Sequence, residues 1–150
     1  MTDFRKMAYD EGRRQAEALR EAAPGLTGTE MIARESDVPD FDPGKDYTSW
    51  PRGSAVADEG QVWRLEIPHN AAHHPGLRPS SNRACWGLAH TTDPEKAKPW
   101  VAPYGTSGIY REGECCTWEG RVWRNLYDRN EFPPMTLNVE DRWEDLGVTG

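Results

Sequence analysis

A nearly identical segment of six residues occurs twice in this chain, as EGQVWR at residues 59–64 and as EGRVWR at residues 119–124. Over residues 38–64 and 98–124, an offset of 60 aligns eight identical pairs, where unrelated sequences would give about two. These pairs are Pro39/Pro99, Pro43/Pro103, Gly53/Gly113, Glu59/Glu119, Gly60/Gly120, Val62/Val122, Trp63/Trp123 and Arg64/Arg124. The sequence therefore predicts two copies of one structural unit.

Similar residues extend this alignment. The same offset places Phe41 opposite Val101 and Trp50 opposite Tyr110. Further along the chain the offset falls to 57, so that Trp86 aligns with Trp143. A change of offset within a loop, with matching residues on both sides, is how repeated units diverge.

Each copy carries the dipeptide Glu-Gly between two short runs rich in aromatic and β-branched residues. Such runs are typical of β-strands, and glycine readily takes the positive φ that a tight two-residue turn needs. The pattern predicts hairpins that turn at Glu59–Gly60 and at Glu119–Gly120. Four tryptophans are expected to fill the small cores that short strands leave: Trp63, Trp86, Trp123 and Trp143.

The first third of the chain has a helical pattern instead. Apolar residues recur at spacings of three and four, in a stripe that includes Phe4, Met7, Leu19 and Ala22. The stripe predicts a helix over residues 3–23 that ends before Pro24 and Gly25. Because the stripe is narrow, we expect this helix to project from the modules and to contact another copy of the chain or another protein. Thr27 and Glu30 predict a capping box for a second, short helix.

The predicted fold class is mainly β, with an N-terminal α-helix followed by two tandem small β-hairpin or sandwich modules. Three segments are expected. Residues 1–37 form a helical N-terminal segment, residues 38–90 form the first module, and residues 98–150 form the second module.

Composition excludes several kinds of partner. A formal charge of −7 disfavours binding to nucleic acid or to an anionic membrane. No apolar run approaches the roughly 20 residues of a membrane span, and the N-terminal residues lack the apolar core of a signal peptide. Phosphate-binding loops, nucleophile elbows and HExxH motifs are absent from the sequence. We therefore expect no enzymatic activity, no catalytic residue and no cofactor.

Two clusters resemble metal or redox sites but are better explained otherwise. The three cysteines, Cys85, Cys115 and Cys116, lack CxxC spacing, so we interpret them as packing residues. The segment HNAAHH at residues 69–74 lies between Pro68 and Pro75, which disfavour the helix that would bring two histidines together. A polar loop is the prediction there, with no metal site.

The order of aromatic residues and glycines in the second module resembles the type 3 chitin-binding domain, a small carbohydrate-binding module of bacterial chitinases and cellulases. The residues that carry the resemblance are Trp100, Tyr110, Gly113, Cys116, Trp118, Gly120, Trp123 and Trp143. The family has Asp at the position of Glu114 and Val at that of Cys116. In the first module, Ser54 and Asp58 stand where the family has Asp and Tyr.

Over nearly its whole length the chain is similar to tail-associated proteins of tailed bacteriophages and prophages, which have an N-terminal helix followed by two such modules. In those proteins a histidine follows the first hairpin, matched here by His69. An asparagine followed by a proline lies in the second module, matched by Asn130 and Pro133. The resemblance implies a virion protein that is assembled in the host cytoplasm, with other virion proteins as partners, and that forms a homo-oligomer.

The resemblance also implies contact with a host surface polysaccharide. Sugar rings present apolar CH faces that stack on aromatic side chains, while polar groups bind the hydroxyls. The expected carbohydrate-binding residues are Tyr110, Trp118, Trp50 and Asn130. Asp58 occupies the place of Trp118 in the first module, and because a buried carboxylate is costly, we expect this position to be exposed. The alternative function is a purely structural virion protein, whose modules dock other particle proteins and bind no sugar.

Overall fold

The computed structural model describes residues 4–138 and 140–149. Helix α1 spans Phe4–Ala22 and helix α2 spans Gly28–Ala33. The strands are β1 Ala55–Asp58, β2 Gln61–Leu65, β3 Trp86–Leu88, β4 Lys98–Pro99, β5 Cys115–Trp118, β6 Arg121–Asn125 and β7 Trp143–Val148. A first sheet has the order β1-β2-β3 and a second sheet the order β4-β5-β6-β7. The predicted N-terminal helix and the strand-rich remainder are confirmed.

Both predicted hairpins are present. Antiparallel pairing joins β1 to β2 and β5 to β6, and the two turn residues of each hairpin have positive φ. The angles are 51° and 75° at Glu59 and Gly60, and 51° and 73° at Glu119 and Gly120. Two consecutive positive φ angles define the turn whose twist matches that of paired strands, and glycine takes such angles without strain. The repeated Glu-Gly dipeptide is therefore explained by turn geometry.

Two further identities of the repeat, Gly53/Gly113 and Trp63/Trp123, also have a structural cause. Gly53 donates its N–H to the Leu65 carbonyl at 2.7 Å, and Gly113 donates to the Asn125 carbonyl at 2.8 Å. Their φ angles of 92° and 90° would strain any other residue. The indole N–H of Trp63 bonds the Asp58 carbonyl, and that of Trp123 bonds the Trp118 carbonyl, both at 3.1 Å. Each tryptophan thus closes its own hairpin.

The alignment at the start of each module is wrong by one residue. Phe41 donates its N–H to the Ala57 carbonyl at 2.8 Å, and Trp100 donates to the Thr117 carbonyl at 3.1 Å. Since Ala57 and Thr117 occupy matching places in the two hairpins, the counterpart of Phe41 is Trp100 and not Val101. The loop that follows is one residue longer in the second copy, which a constant offset cannot represent.

The buried side chains form three clusters. The first aromatic core lies on one face of the first sheet and consists of Phe41, Tyr47, Val56, Trp63, Leu65, Ala71, Cys85, Trp86 and Leu88. The second aromatic core lies on the second sheet and consists of Tyr110, Cys116, Trp123 and Trp143, with Trp100 and Trp118 packed against it. The expected core positions of Trp63, Trp86, Trp123 and Trp143 are thus confirmed.

The third cluster joins the helical segment to the first module. Its members are Leu19, Ala23, Met31, Ile32, Val38, Ala55, Val62 and Ala89. The guanidinium of Arg64 donates to the carbonyls of Ala23 at 3.1 Å and Leu26 at 2.6 Å. The Ala23 carbonyl also accepts the Leu26 N–H at 3.1 Å, so Arg64 adds a second bond there and ties the end of the helical segment to the first sheet. The N-terminal helical segment, from Leu19 onward, and the first module therefore share one core.

The expectation that α1 projects from the modules is consequently wrong for its C-terminal end. Leu19 is 1% exposed, because it packs beneath the first sheet, whereas residues 11–15 are exposed. Ala22 is also exposed, so it does not continue the predicted stripe. The side chains of Phe4 and Met7 lie outside the part that the structure describes. The capping box of α2 is confirmed, since Thr27 and Glu30 exchange hydrogen bonds of 3.1 Å.

Direct hydrogen bonds connect the two modules. The Gln61 side chain donates to the Pro99 carbonyl at 3.0 Å, and the Ser107 hydroxyl donates to Glu66 at 3.2 Å. His90, which follows the last strand of the first sheet, stacks on Tyr110 with ring centroids 3.7 Å apart. The modules are therefore packed against each other. None of the helices within the described ranges is long and apolar enough to cross a membrane.

Candidate ligand-binding site

Tyr110, the first of the predicted carbohydrate-binding residues, lies inside the protein with 1% of its surface exposed. Its ring stacks on His90 and meets the edge of Trp143 at 5.3 Å, and its hydroxyl accepts a hydrogen bond from Val101 at 3.4 Å. This burial is the main reason why the pKa of the Tyr110 hydroxyl is raised. A ring enclosed in this way offers no face to a sugar.

The counterpart of Tyr110 in the first module is Tyr47 and not Trp50. The Tyr47 hydroxyl accepts a hydrogen bond from the Asp42 N–H at 2.9 Å, and its ring meets Trp86 at 5.3 Å in an edge-to-face contact. Both contacts reproduce those of Tyr110 with Val101 and Trp143. Tyr47 follows Phe41 by six positions and Tyr110 follows Trp100 by ten, and this difference hides the match in an alignment at constant offset. Trp50 has no counterpart by this criterion.

Asn130, another predicted contact residue, is completely buried. Its amide group donates to Asn125 Oδ1 at 2.9 Å, and its Oδ1 accepts from the Phe132 N–H at 3.0 Å. Asn125 in turn donates to the Tyr110 carbonyl at 3.1 Å. Buried amides need such partners, and this network fixes the loop after β6. The placement of Asn130 does not fit direct contact with a ligand.

Trp118 is half-buried at the end of β5. Its ring packs edge-to-face against Trp100 with centroids 5.7 Å apart, and both rings border the second aromatic core. Part of the indole remains accessible, so Trp118 can still contact a ligand. The same contacts also tie it to the core, which the sequence alone did not indicate.

The expectation for Asp58 is wrong, because this residue is 5% exposed. Arg78 donates to its Oδ1 at 2.6 Å and the Ser80 N–H donates to its Oδ2 at 3.0 Å. Burial by itself raises the pKa of this carboxyl group, but the hydrogen bonds and the charge of Arg78 outweigh it, so the net pKa is lowered. A carboxylate that is fully paired can be buried at this position.

The pair of Asp58 and Arg78 fills the place that Trp118 occupies in the second module. The Arg78 guanidinium also lies 5.7 Å from the ring centroid of Phe41, the counterpart of Trp100. Phe41 beside the ion pair of Asp58 and Arg78 in the first module thus corresponds to Trp100 beside Trp118 in the second. The first module has no accessible aromatic ring at this place.

Trp50 lies in a cleft of about 590 Å³ between α1 and the start of the first module. The ring is half-buried, with its edge toward Tyr47 at 4.7 Å. Two cations lie near its faces, Arg20 at 4.8 Å and Lys45 at 5.4 Å from the ring centroid. Positive charge over an indole face is attracted by the electrons of the ring. The cleft therefore has an aromatic wall flanked by positive charge.

Side chains of both charges surround this wall. The cleft is lined by Gly12, Arg13, Ala16, Glu17, Arg20, Pro39, Asp40, Asp42, Lys45, Tyr47 and Trp50. Donors from arginine and lysine and acceptors from carboxylates therefore converge on one aromatic ring. The volume of the cleft lies within the range of roughly 300–1,000 Å³ that small-molecule sites occupy.

The contribution of α1 to this cleft was missed in the sequence. Arg13, Glu17 and Arg20 follow one another at spacings of four and three, which places them on one face of the helix. That spacing was a usable signal of a charged helical face. It did not indicate what the face contacts, because Trp50 is thirty residues further along the chain.

The predicted residues therefore do not form one site. Trp50 belongs to the cleft beside the first module, Trp118 borders the core of the second module, and Tyr110 and Asn130 are buried within the latter. Of the four, Trp50 alone combines an accessible ring with convergent polar groups. It is the strongest candidate for ligand contact.

Two of the cysteines pack in the aromatic cores, and His69 bonds the backbone. Cys116 belongs to the second aromatic core, where burial raises the pKa of its thiol, and Cys85 is a member of the first. His69 uses Nδ1 to bond the Ile67 carbonyl at 2.8 Å. Within residues 4–138 and 140–149, no three His, Cys, Asp or Glu side chains are grouped so that they could hold a metal ion.

No protein-family model matches this sequence, and no curated protein matches it at a significant level.

Proposed function

We propose that this chain is a non-enzymatic bacteriophage virion protein, associated with the tail, that engages a host surface glycan. In this proposal the two modules are small carbohydrate-binding-like units in tandem, and the Trp50 cleft is the binding site. The single observation that carries it is an accessible indole within a cleft that donors and acceptors surround. The order of aromatic residues and glycines in both modules supports the assignment to a virion.

The chemistry of the cleft suits a sugar. A pyranose ring stacks its CH face on an indole, and the hydroxyls around the ring require both donors and acceptors. Asp40 and Asp42 supply acceptors, while Arg20 and Lys45 supply donors. A sugar on the face of Trp50 replaces one of the two cations there. That cation is then free to bind hydroxyl or carboxylate groups of the glycan.

Binding to host cell-wall polysaccharide tests the proposal. Trp50→Ala should weaken binding about fivefold or more, since a stacked aromatic contact contributes roughly 1 kcal/mol. Trp50→Phe retains a flat ring and should recover most of the affinity. Tyr104→Ala is the matched control, because Tyr104 is an aromatic residue with 61% exposure outside the cleft. Thermal melting of each variant separates lost contacts from lost folding.

Two outcomes would contradict this assignment. If Trp118→Ala weakens binding and Trp50→Ala does not, the sugar binds at the second module. If the wild-type protein binds no polysaccharide of its host, the glycan function is wrong altogether.

The second candidate function is a purely structural one, in which the modules dock other virion proteins and bind no sugar. It is favoured by the burial of Tyr110 and Asn130 and by the ion pair that replaces an aromatic residue at Asp58. Homo-oligomer formation in the particle is compatible with either function. Sedimentation of the purified protein, and its detection in purified particles, would test both points.

A further inference from the structure

A second cavity opens beside the Trp50 cleft, at the tip of the first hairpin. Its volume is about 350 Å³, and the residues that line it include Asp40, Phe41, Asp58 and Arg78. Asp40 also lines the Trp50 cleft. The two cavities therefore lie next to each other on the first module.

The backbone around Asp40 is fixed against β1. The Phe41 N–H donates to the Ala57 carbonyl, and the Ala57 N–H donates to the Pro39 carbonyl, both at 2.8 Å. Successive side chains of an extended chain point to opposite sides, so Phe41 packs into the first aromatic core while Asp40 stays exposed. The Asp40 carboxylate thus stands on an ordered backbone between the two cavities, where it can accept a hydrogen bond from a ligand in either one.

Arg78 is an oriented hydrogen-bond donor in the second cavity. Its guanidinium donates to Asp58 at 2.6 Å and lies over the ring of Phe41. The Asp58 side chain is 2% exposed, whereas 44% of the Arg78 side chain is exposed. A guanidinium has five N–H donors, and the bond to Asp58 uses one of them. Because this bond fixes the guanidinium before a ligand arrives, its other donors can bind sugar hydroxyls with little loss of side-chain freedom.

Stability alone does not account for this ion pair. A buried ion pair is often no more stabilising than well-packed apolar residues of similar volume. In the second module an indole, that of Trp118, occupies the same place. The first module instead has a buried carboxylate that holds a half-exposed arginine. Convergent polar groups beside an aromatic wall are what a site for a polar ligand requires.

The charges of the second cavity favour an uncharged sugar. Three carboxylates line it, those of Asp40, Asp58 and Glu59, together with one cation, Arg78. An acidic sugar would bring a further negative charge toward these carboxylates. Neutral hydroxyl groups can donate to the carboxylates and accept from the guanidinium.

We propose that the cavity beside Asp58 and Arg78 is a second sugar subsite, so that the first module binds a glycan chain of two or more residues lying across Asp40. One sugar residue stacks on Trp50, and an uncharged neighbour binds in the second cavity through its hydroxyls. This inference rests on the proposed glycan function and adds to it the length and the chemistry of the ligand. Linked contacts raise the affinity, because the second one forms within the complex that the first has already made.

NMR titration of the isotope-labelled full-length protein tests this inference. The probes are size-fractionated fragments of the host cell-wall polysaccharide, from one to four sugar residues long, prepared by partial hydrolysis. A single sugar should shift the amide signals around Trp50 only. Longer fragments should also shift the amides of Gly60, which lines the second cavity, and of Ser80, which donates to Asp58. The affinity should rise about fivefold or more from one to four residues.

Two variants alter the second subsite. Asp58→Asn combined with Arg78→Ala leaves no buried charge, and the asparagine can still accept the Ser80 N–H. This double variant should bind four-residue fragments about fivefold more weakly or worse, and a single sugar with an affinity within about twofold of the wild type. Arg78→Lys retains a cation for Asp58 but loses the planar set of donors, so it should weaken the binding of four-residue fragments about threefold.

Glu112→Ala is the matched control, because Glu112 is an exposed acid outside both cavities. It should leave the affinity for every fragment unchanged, and melting curves should show that each variant remains folded. Equal affinity for one and four residues would overturn the inference, as would amide signals of Gly60 and Ser80 that stay unchanged with long fragments. An equal loss for short and long fragments in the double variant would also overturn it, because the ion pair would then support the Trp50 cleft instead of contacting a sugar. In these cases binding of the intact polysaccharide leaves the glycan function in place, whereas its absence contradicts that function itself.

Discussion

Residues at matching positions of the two modules can have different surroundings. Asp58 and Trp118 occupy the same place in two hairpins, yet one is a buried carboxylate and the other a half-buried indole. Arg78 makes the difference, because it reaches Asp58 from a loop twenty residues away. Charge alone did not predict exposure here, since the cost of burial depends on partners that the sequence does not reveal.

Replacing each tryptophan of the second hairpin with alanine should lower the unfolding free energy of the protein by a different amount. Trp123→Ala removes a 9% exposed core ring and should cost about 3–5 kcal/mol of unfolding free energy. Trp118→Ala removes a half-buried ring packed on Trp100 and should cost about 1–2 kcal/mol. Urea denaturation of both variants measures this difference. A loss below about 0.5 kcal/mol for Trp118→Ala would mean that its ring is exposed, as the sequence suggested.

Elements were predicted to different degrees. Both hairpins and their turns follow from the Glu-Gly dipeptides and the strand-like runs beside them, because these signals are local. The end of α1 and the counterpart of Tyr110 were not predictable in the same way. Leu19 packs against strands more than thirty residues later, and Tyr47 replaces Trp50 only because the loops differ in length. Both outcomes depend on tertiary contacts, and the spacing of apolar residues along the chain does not predict such contacts.

The binding residues illustrate the same limit. The aromatic pattern selected Trp50 as a candidate for ligand contact, which stays a prediction, and it gave no sign of the face of α1 that completes the cleft. Tyr110 and Asn130 were chosen from the same pattern and are buried. The sequence does not distinguish an aromatic residue of a small core from one in a binding site, because the two differ only in solvent exposure.

Deleting residues 1–25 should destabilise the protein. The deletion removes Leu19 and Ala23 from the core beneath the first sheet and one carbonyl acceptor of Arg64. Loss of one buried leucine side chain alone costs roughly 2–5 kcal/mol. Chemical denaturation should therefore show a large decrease in unfolding free energy. Deletion of residues 1–14 is the matched control, because residues 11–14 are exposed and every described member of the buried cluster is retained. Equal stability of both truncated proteins would show that the end of α1 is not part of the core.

At the scale of the whole molecule, the contact between the modules depends on a neutral histidine. His90 is buried against Tyr110, and its Nε2 donates a hydrogen bond to the Gly108 carbonyl at 2.6 Å. Burial is the main cause that lowers the pKa of His90, the bond to Gly108 opposes this shift, and the charge of Arg83 adds to it, so that the net pKa is about 4. Protonation of His90 therefore opposes the folded state.

Stability should consequently fall on acidification. Between the unfolded pKa near 6.5 and the folded pKa of about 4, the unfolded chain binds more protons, so the unfolding free energy decreases as the pH falls. From pH 7.5 to pH 4.5 the loss attributable to His90 should be roughly 2–3 kcal/mol. His90→Gln can still donate to Gly108 and should reduce this pH dependence. An unchanged pH profile in that variant would assign the acid sensitivity to other groups.

The position of the N-terminal helical segment before the first sheet has a consequence for biosynthesis. A chain emerges from the ribosome with its N-terminus first, so Leu19, Met31 and Ile32 are available before the strands that they cover. The first module can then fold while the second is still being made. The second module instead relies on His90 and on the pairing of Thr91 with Cys115, both supplied by chain already synthesised. A fragment of residues 1–97 should therefore give dispersed NMR spectra by itself, whereas a fragment of residues 98–150 should not. Folding of this protein is thus expected to be sequential, with the first module serving as the surface on which the second is completed.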